Sequence, residues 1–134
     1  MARSEQEEAM QLTELEEMAN DDPAGADAAI HELVIESNVE ELSRIAEAGR
    51  VQDLKERAID ALGEVGGPEA STRLIGLLEL ANTEAVEGGT EQKLEHERMR
   101  AHLVRSLSRA RGVRPPDPQD RRAVAEFIED CRAR

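Results

Sequence analysis

The chain has 134 residues, of which 39% are hydrophobic and 35% charged, with a formal net charge of −13. That length suits one domain, and the apolar residues are mainly Leu, Ile, Val and Ala at helical spacing, which argues for folding rather than disorder. With Phe127 as the single aromatic residue, base-stacking platforms and aromatic cages are disfavoured, and no run approaches the roughly 20 apolar residues that span a bilayer.

Seven helices are predicted and no strand, because apolar and polar residues do not alternate over five or more positions. Ser4 and Glu7 make a capping box for the first helix, which runs to about Asn20 with Leu12, Leu15 and Ala19 along one side. Asp22 caps the second, which reaches about Ser37 and has Pro23 at its first position, where a missing N–H costs nothing. Asn38 caps the third, Glu41 stands where a capping-box partner belongs, and Gly49 ends it. The fourth, Val51 to Val65, carries Leu54, Ala58, Ala61, Leu62 and Val65 on one side and is stopped by Gly66-Gly67. Pro68 starts the fifth, with Leu74, Leu77, Leu78 and Ala81 as its buried stripe. Residues 83–92 read as a loop insertion broken by Gly88-Gly89, with Thr90 as the cap of a long sixth helix reaching about Arg111. After Gly112 and the Pro115-Pro116-Asp117-Pro118 turn, Asp117 caps the seventh, with Pro118 at its first position.

Three helices align by apolar spacing. Ala29 and Leu33, Ala58 and Leu62, and Leu103 and Leu107 occupy the same two slots, at offsets of 29 and then 45 residues. A helix pair around a Gly66-Gly67-Pro68 corner cannot bury its stripes alone, so stacked neighbours are required. The fourth helix reads Leu54-Lys55, Ala58 and Ala61-Leu62-Gly63, followed by Gly66-Gly67-Pro68-Glu69-Ala70. That pattern resembles the HEAT repeat family, a relative of the armadillo-type helical repeats. The sixth helix is similar through Met99-Arg100, Leu103 and Ser106-Leu107-Ser108, whereas the second, with Gly25-Ala26, Ala29 and Glu32-Leu33-Val34, departs further. The resemblance covers roughly residues 23–132 and implies an all-α fold: a short right-handed α-solenoid of about three antiparallel helix pairs in one domain, 1–134. Residues 1–22 would cap it, and an acid-rich cap suits the polar outer face that terminal units need.

Charge is unevenly spread. Residues 1–49 hold 14 acids against Arg3 and Arg44 (net −12), residues 50–92 carry −5, and residues 93–134 carry +4. Such a molecule can steer a basic partner to one end and an acidic partner to the other, although an acidic surface also serves solubility. Head-to-tail self-association is a further expectation. The large negative charge disfavours nucleic acid, which needs a basic groove. A single cysteine, Cys131, excludes an internal disulfide and a multi-Cys zinc site, and points to a cytoplasmic protein. The N-terminal stretch lacks the apolar core of a signal peptide.

Arg98, His102, Arg105 and Arg109 fall within about a sixth of a turn on the sixth helix, while Met99, Leu103, Leu107 and Ala110 take the neighbouring side. In HEAT-like arrays the second helix of each pair lines the concave surface. The resemblance thus makes the basic stripe a contact site for an acidic protein segment or a phosphate group, flanked by Lys55, Asp60 and Glu64 of the fourth helix. The competing reading is a solvated face paired with Glu91, Glu95 or the acidic N-terminal half. No cofactor and no metal are expected. His96 and His102 lie about 120° apart on their helix, and His31 belongs to a different repeat. No catalytic constellation emerges either, since neighbouring acids such as Glu16 and Glu17 sit on exposed faces and no histidine is placed to activate Cys131. The expectation is a non-enzymatic protein–protein interaction module, a small adaptor or scaffold. The alternative, drawn from the same resemblance, is an accessory subunit of a bilin-lyase-like maturation enzyme.

Overall fold

The computed structural model describes the backbone of residues 5–83 and 88–133, with side chains from residue 12 onward. Within those bounds the chain is all-α, with no strand among the described residues. The helices are α1 (Glu5–Asp21), α2 (Pro23–Ile35), α3 (Val39–Ala48), α4 (Gln52–Val65), α5 (Gly67–Thr83), α6 (Thr90–Arg111) and α7 (Arg121–Ala133).

Several helix ends follow local chemistry legible in the sequence. Asp22 accepts a 3.1 Å hydrogen bond from the Gly25 amide ahead of Pro23, and Asn38 accepts one of 3.2 Å from the Glu41 amide. Each satisfies a donor that the first turn cannot bond internally. The Gly66-Gly67 corner has φ of +66° and +83°, a region that a side chain would strain.

Other ends differ. Glu41 does not return a bond to Asn38; its carboxylate pairs with Arg44, and the Asn38 amide donates to the Leu33 carbonyl instead. Thr90 is the first residue of α6 rather than its cap, which is Gly89 and makes no side-chain bond. Residues 90–92 are therefore helical and α5 reaches Thr83, so the stretch between the helices is shorter than the 83–92 insertion expected. Residues 84–87 lie outside the described residues, as does the expected Ser4 and Glu7 capping box. At the last turn Asp117 does not cap α7. It accepts from the Gln119 amide at 2.9 Å within a tight turn, and Asp120 caps the helix by accepting from Ala123 at 3.1 Å. Two prolines ahead of Asp117 hold the chain extended, and the turn delays the helix by three residues.

The core is a continuous aliphatic cluster running from Leu12 and Ile30 through Leu42, Leu54, Leu62, Leu74 and Leu107 to Val124 and Phe127. Helix α4 is its hub, touching α2, α3, α5 and α6; α5 also packs on α6 and α7, and α1 on α2. Of the six aligned slot residues, Ala58, Leu62, Leu103 and Leu107 are buried. Ala29 and Leu33 are half-buried against a 310 Å³ pocket shared with Leu15 and Met18, and α2 buries Ala26 and Ile30 instead. The core-facing register of α2 thus lies three residues before the one expected, consistent with its weaker match to the repeat pattern.

Two features fix how the last helices sit. Gly63 lets α4 approach α6 closely, because a Cβ there would meet both Ser106 Cα and Ser106 O at 2.9 Å. Arg100, buried at 3% exposure, donates from Nε to the Pro118 carbonyl at 2.7 Å and so ties the proline turn to α6. Burial pushes the Arg100 pKa below the ordinary arginine value; the nearby Arg121 acts the same way and Glu97 opposes it. Asn82 and Arg121 exchange side-chain to carbonyl bonds of 3.0 and 3.3 Å, joining α5 to α7.

Candidate functional site

The sequence aligned four basic side chains along α6, and the packing of α6 on α4 divides them. Arg98 faces the acids of α4. Its Nη2 donates to Glu56 Oε2 at 2.8 Å, and its Nε lies 2.7 Å from Glu56 Oε1 as an ion pair without hydrogen-bond alignment. Asp53 adds a longer contact of 3.7 Å. His102 reaches Asp60 Oδ1 through Nδ1 at 3.1 Å and stands 3.7 Å from Glu56 through Nε2. Ser106 also donates to Asp60, at 3.4 Å. The result is a polar seam between α4 and α6, extended toward α2 by the 2.7 Å pair of Arg57 with Asp27.

The energetic weight of this seam rests on Glu56, whose side chain is only 6% exposed while that of Arg98 is 58% exposed. A buried carboxylate without a cation is costly, so Arg98 is held in place by what Glu56 would otherwise lose. Glu56 and Asp60 stand four residues apart on α4, as Arg98 and His102 do on α6. That complementary spacing was the available sequence signal for the seam, and Glu56 and Asp53 are the residues that intrahelical reasoning missed.

Arg105 and Arg109 remain exposed, and neither makes an ion pair among the described residues. On the same face, about three turns before Arg105, Leu94 is 59% exposed. At 100° per residue Leu94, Arg98, Ala101, Arg105 and Arg109 share about 80° of the α6 circumference. Along this face Glu91 and then the exposed Leu94 precede the cations, a pattern suited to an acidic segment with an apolar anchor. Glu64 is exposed on α4. Lys55 does not flank the stripe as expected. It is half-buried and lines a separate 240 Å³ groove with Ile59, Leu77, Met99 and Leu103, because it lies on the opposite side of α4 from Asp60.

The remaining titratable groups do not converge. His96 bonds the Ala81 carbonyl at 2.7 Å, away from His102, and His31 is exposed on α2. Among the described residues no group of three or more His, Cys, Asp or Glu side chains could hold a metal ion. Cys131 is a buried free thiol. No helix among the described residues is long and apolar enough to cross a membrane.

Compared with known proteins, the chain matches no protein-family model, no curated protein and no solved structure.

Proposed function

We propose that the chain is a non-enzymatic interaction module, a small adaptor or scaffold, that holds an acidic partner segment on the outer face of α6. The observation that carries this reading is the alignment of exposed Leu94 with Arg105 and Arg109, two cations without an ion pair among the described residues. An exposed leucine in line with unneutralised arginines has the ingredients of a contact patch, in which an apolar anchor supplies affinity and charge supplies orientation. Arg98, engaged with Glu56 but more than half exposed, forms the middle of the patch.

The scaffold behind the patch is proposed to be a short HEAT-like α-solenoid of about three antiparallel helix pairs. Helices α2, α4 and α6 contact in succession, and α1, α3 and α5 each pack on the next helix in sequence, with α7 against α5. The pattern Leu54-Lys55, Ala58, Ala61-Leu62-Gly63 falls on the hub helix, with Gly63 set against Ser106 of α6. The single thiol accords with a cytoplasmic setting. Affinity capture tests the reading: reversing Arg105 and Arg109 to Glu abolishes partner retention, and retention unchanged by that reversal would remove it.

A further inference from the structure

Between α5 and α7, at the C-terminal end of α6, lies a 480 Å³ cleft in which this acidic chain gathers two guanidinium groups, those of Arg111 and Arg132. Its opposite wall is Ser71, Thr72 and Gly76 of α5. Part of the cationic lining is already committed to the fold. Arg111 donates from Nη2 to the Cys131 carbonyl, one of the last carbonyls of α7, and Arg132 pairs with Glu79. What the fold leaves over is the informative part. Arg111 Nε and Ser71 Oγ are both buried without a hydrogen-bond partner, and both residues line this cleft. Two orphaned donors in the lining of one cleft call for an acceptor.

Gly76 adds an independent observation. It lies in the interior of α5, where glycine weakens a helix, yet a Cβ built on it meets nothing within 4 Å. The cleft wall is therefore open at this point of α5. The donors come from three helices, and a phosphate, with more acceptor oxygens than a carboxylate, can accept from all three. The cavity is also larger than one such group, and its sides at Pro68 and Ile75 are apolar.

We propose that this cleft is an oxyanion site that takes the phosphate group of a small phosphorylated molecule. Arg111 and Ser71 contact the phosphate oxygens, Arg132 adds positive charge at the rim, and the rest of the ligand lies over Gly76 and Ile75. Because the two orphaned donors are closed to solvent as the side chains stand, binding is accompanied by rotamer changes at both Arg111 and Ser71. The site is separate from the α6 patch and does not depend on it.

Amide chemical shifts of the labelled full-length chain, titrated with inorganic phosphate and with glycerol phosphate, test this directly. Acetate and chloride at matched ionic strength serve as controls. Saturable shifts at Ser71, Thr72, Gly76 and Cys131 are expected with both phosphates and with neither control. Gly76→Glu, which sets a carboxylate on the open wall without removing any bond, should weaken binding by at least about tenfold. Ser71→Ala, which loses no existing partner, should weaken it several-fold. Shifts that do not saturate, equal saturation by acetate, or full affinity in Gly76→Glu would overturn the proposal. Saturation by inorganic phosphate with glycerol phosphate excluded would overturn the assignment to a phosphorylated molecule.

Discussion

Gly63 of α4 lies so near Ser106 of α6 that a methyl group in place of its α-hydrogen would sit 2.9 Å from both the Ser106 Cα and its carbonyl oxygen. Backbone atoms cannot swing aside as a flexible side chain can, so Gly63→Ala has to push the two helices apart. Overpacking of this kind costs about 1 to 3 kcal/mol, against which alanine's better helix propensity returns roughly 1 kcal/mol. The expected outcome is a net loss of up to about 2 kcal/mol in urea unfolding, with the Arg98, His102 and Ser106 contacts to α4 loosened.

Gly76→Ala should act in the opposite sense. The added methyl meets open space and the helix gains a better former, so stability should rise by about 0.5 to 1 kcal/mol. Thermal unfolding of the two glycine variants side by side separates close approach from simple propensity.

The Glu56 and Arg98 pair is asymmetric, with a buried acid and a largely exposed base. Arg98→Met leaves the carboxylate with only the 3.7 Å contact to His102, and should destabilise by about 1 to 3 kcal/mol. In a background that already carries Glu56→Gln the same change should cost clearly less, since no buried charge is stranded. A double-mutant cycle by urea unfolding measures that difference, and additive effects would show that the pair is not coupled.

Arg100 should matter for the end of the chain rather than for α6 alone. Arg100→Met keeps much of the buried stem volume but deletes the 2.7 Å bond to the Pro118 carbonyl. Hydrogen exchange should quicken at the first turns of α7 and in residues 117–120, while the centre of α4 stays protected.

Helix identity was legible because it is local: caps at Asp22 and Asn38 and breakers at Gly49 and Gly66 act within one turn of where they stand. The seventh helix was misplaced at its start because Asp117 can form either a cap or a turn, and Asp120, three residues on, won the cap. The basic stripe on α6 was legible as a stripe, since 3.6-residue periodicity fixes one face. Its division was not, because the partners that take Arg98 and His102 lie on another helix, some 42 residues away in sequence. Lys55 was misjudged for a related reason: its side of α4 is set by which neighbours pack there. The cleft at Arg111 joins three helices, and nothing within any one of them announces it.

Capture of an acidic partner by the outer face of α6 is the proposal on which the function rests. Its most direct test is affinity capture with four immobilised chains: wild type, Leu94→Glu, Arg105→Glu with Arg109→Glu, and Arg122→Glu as a charge control on the solvent side of α7. A polypeptide retained by wild type and Arg122→Glu, and lost from both α6 variants while their circular dichroism is unchanged, is the predicted result. The same polypeptide retained equally by all four chains would contradict it.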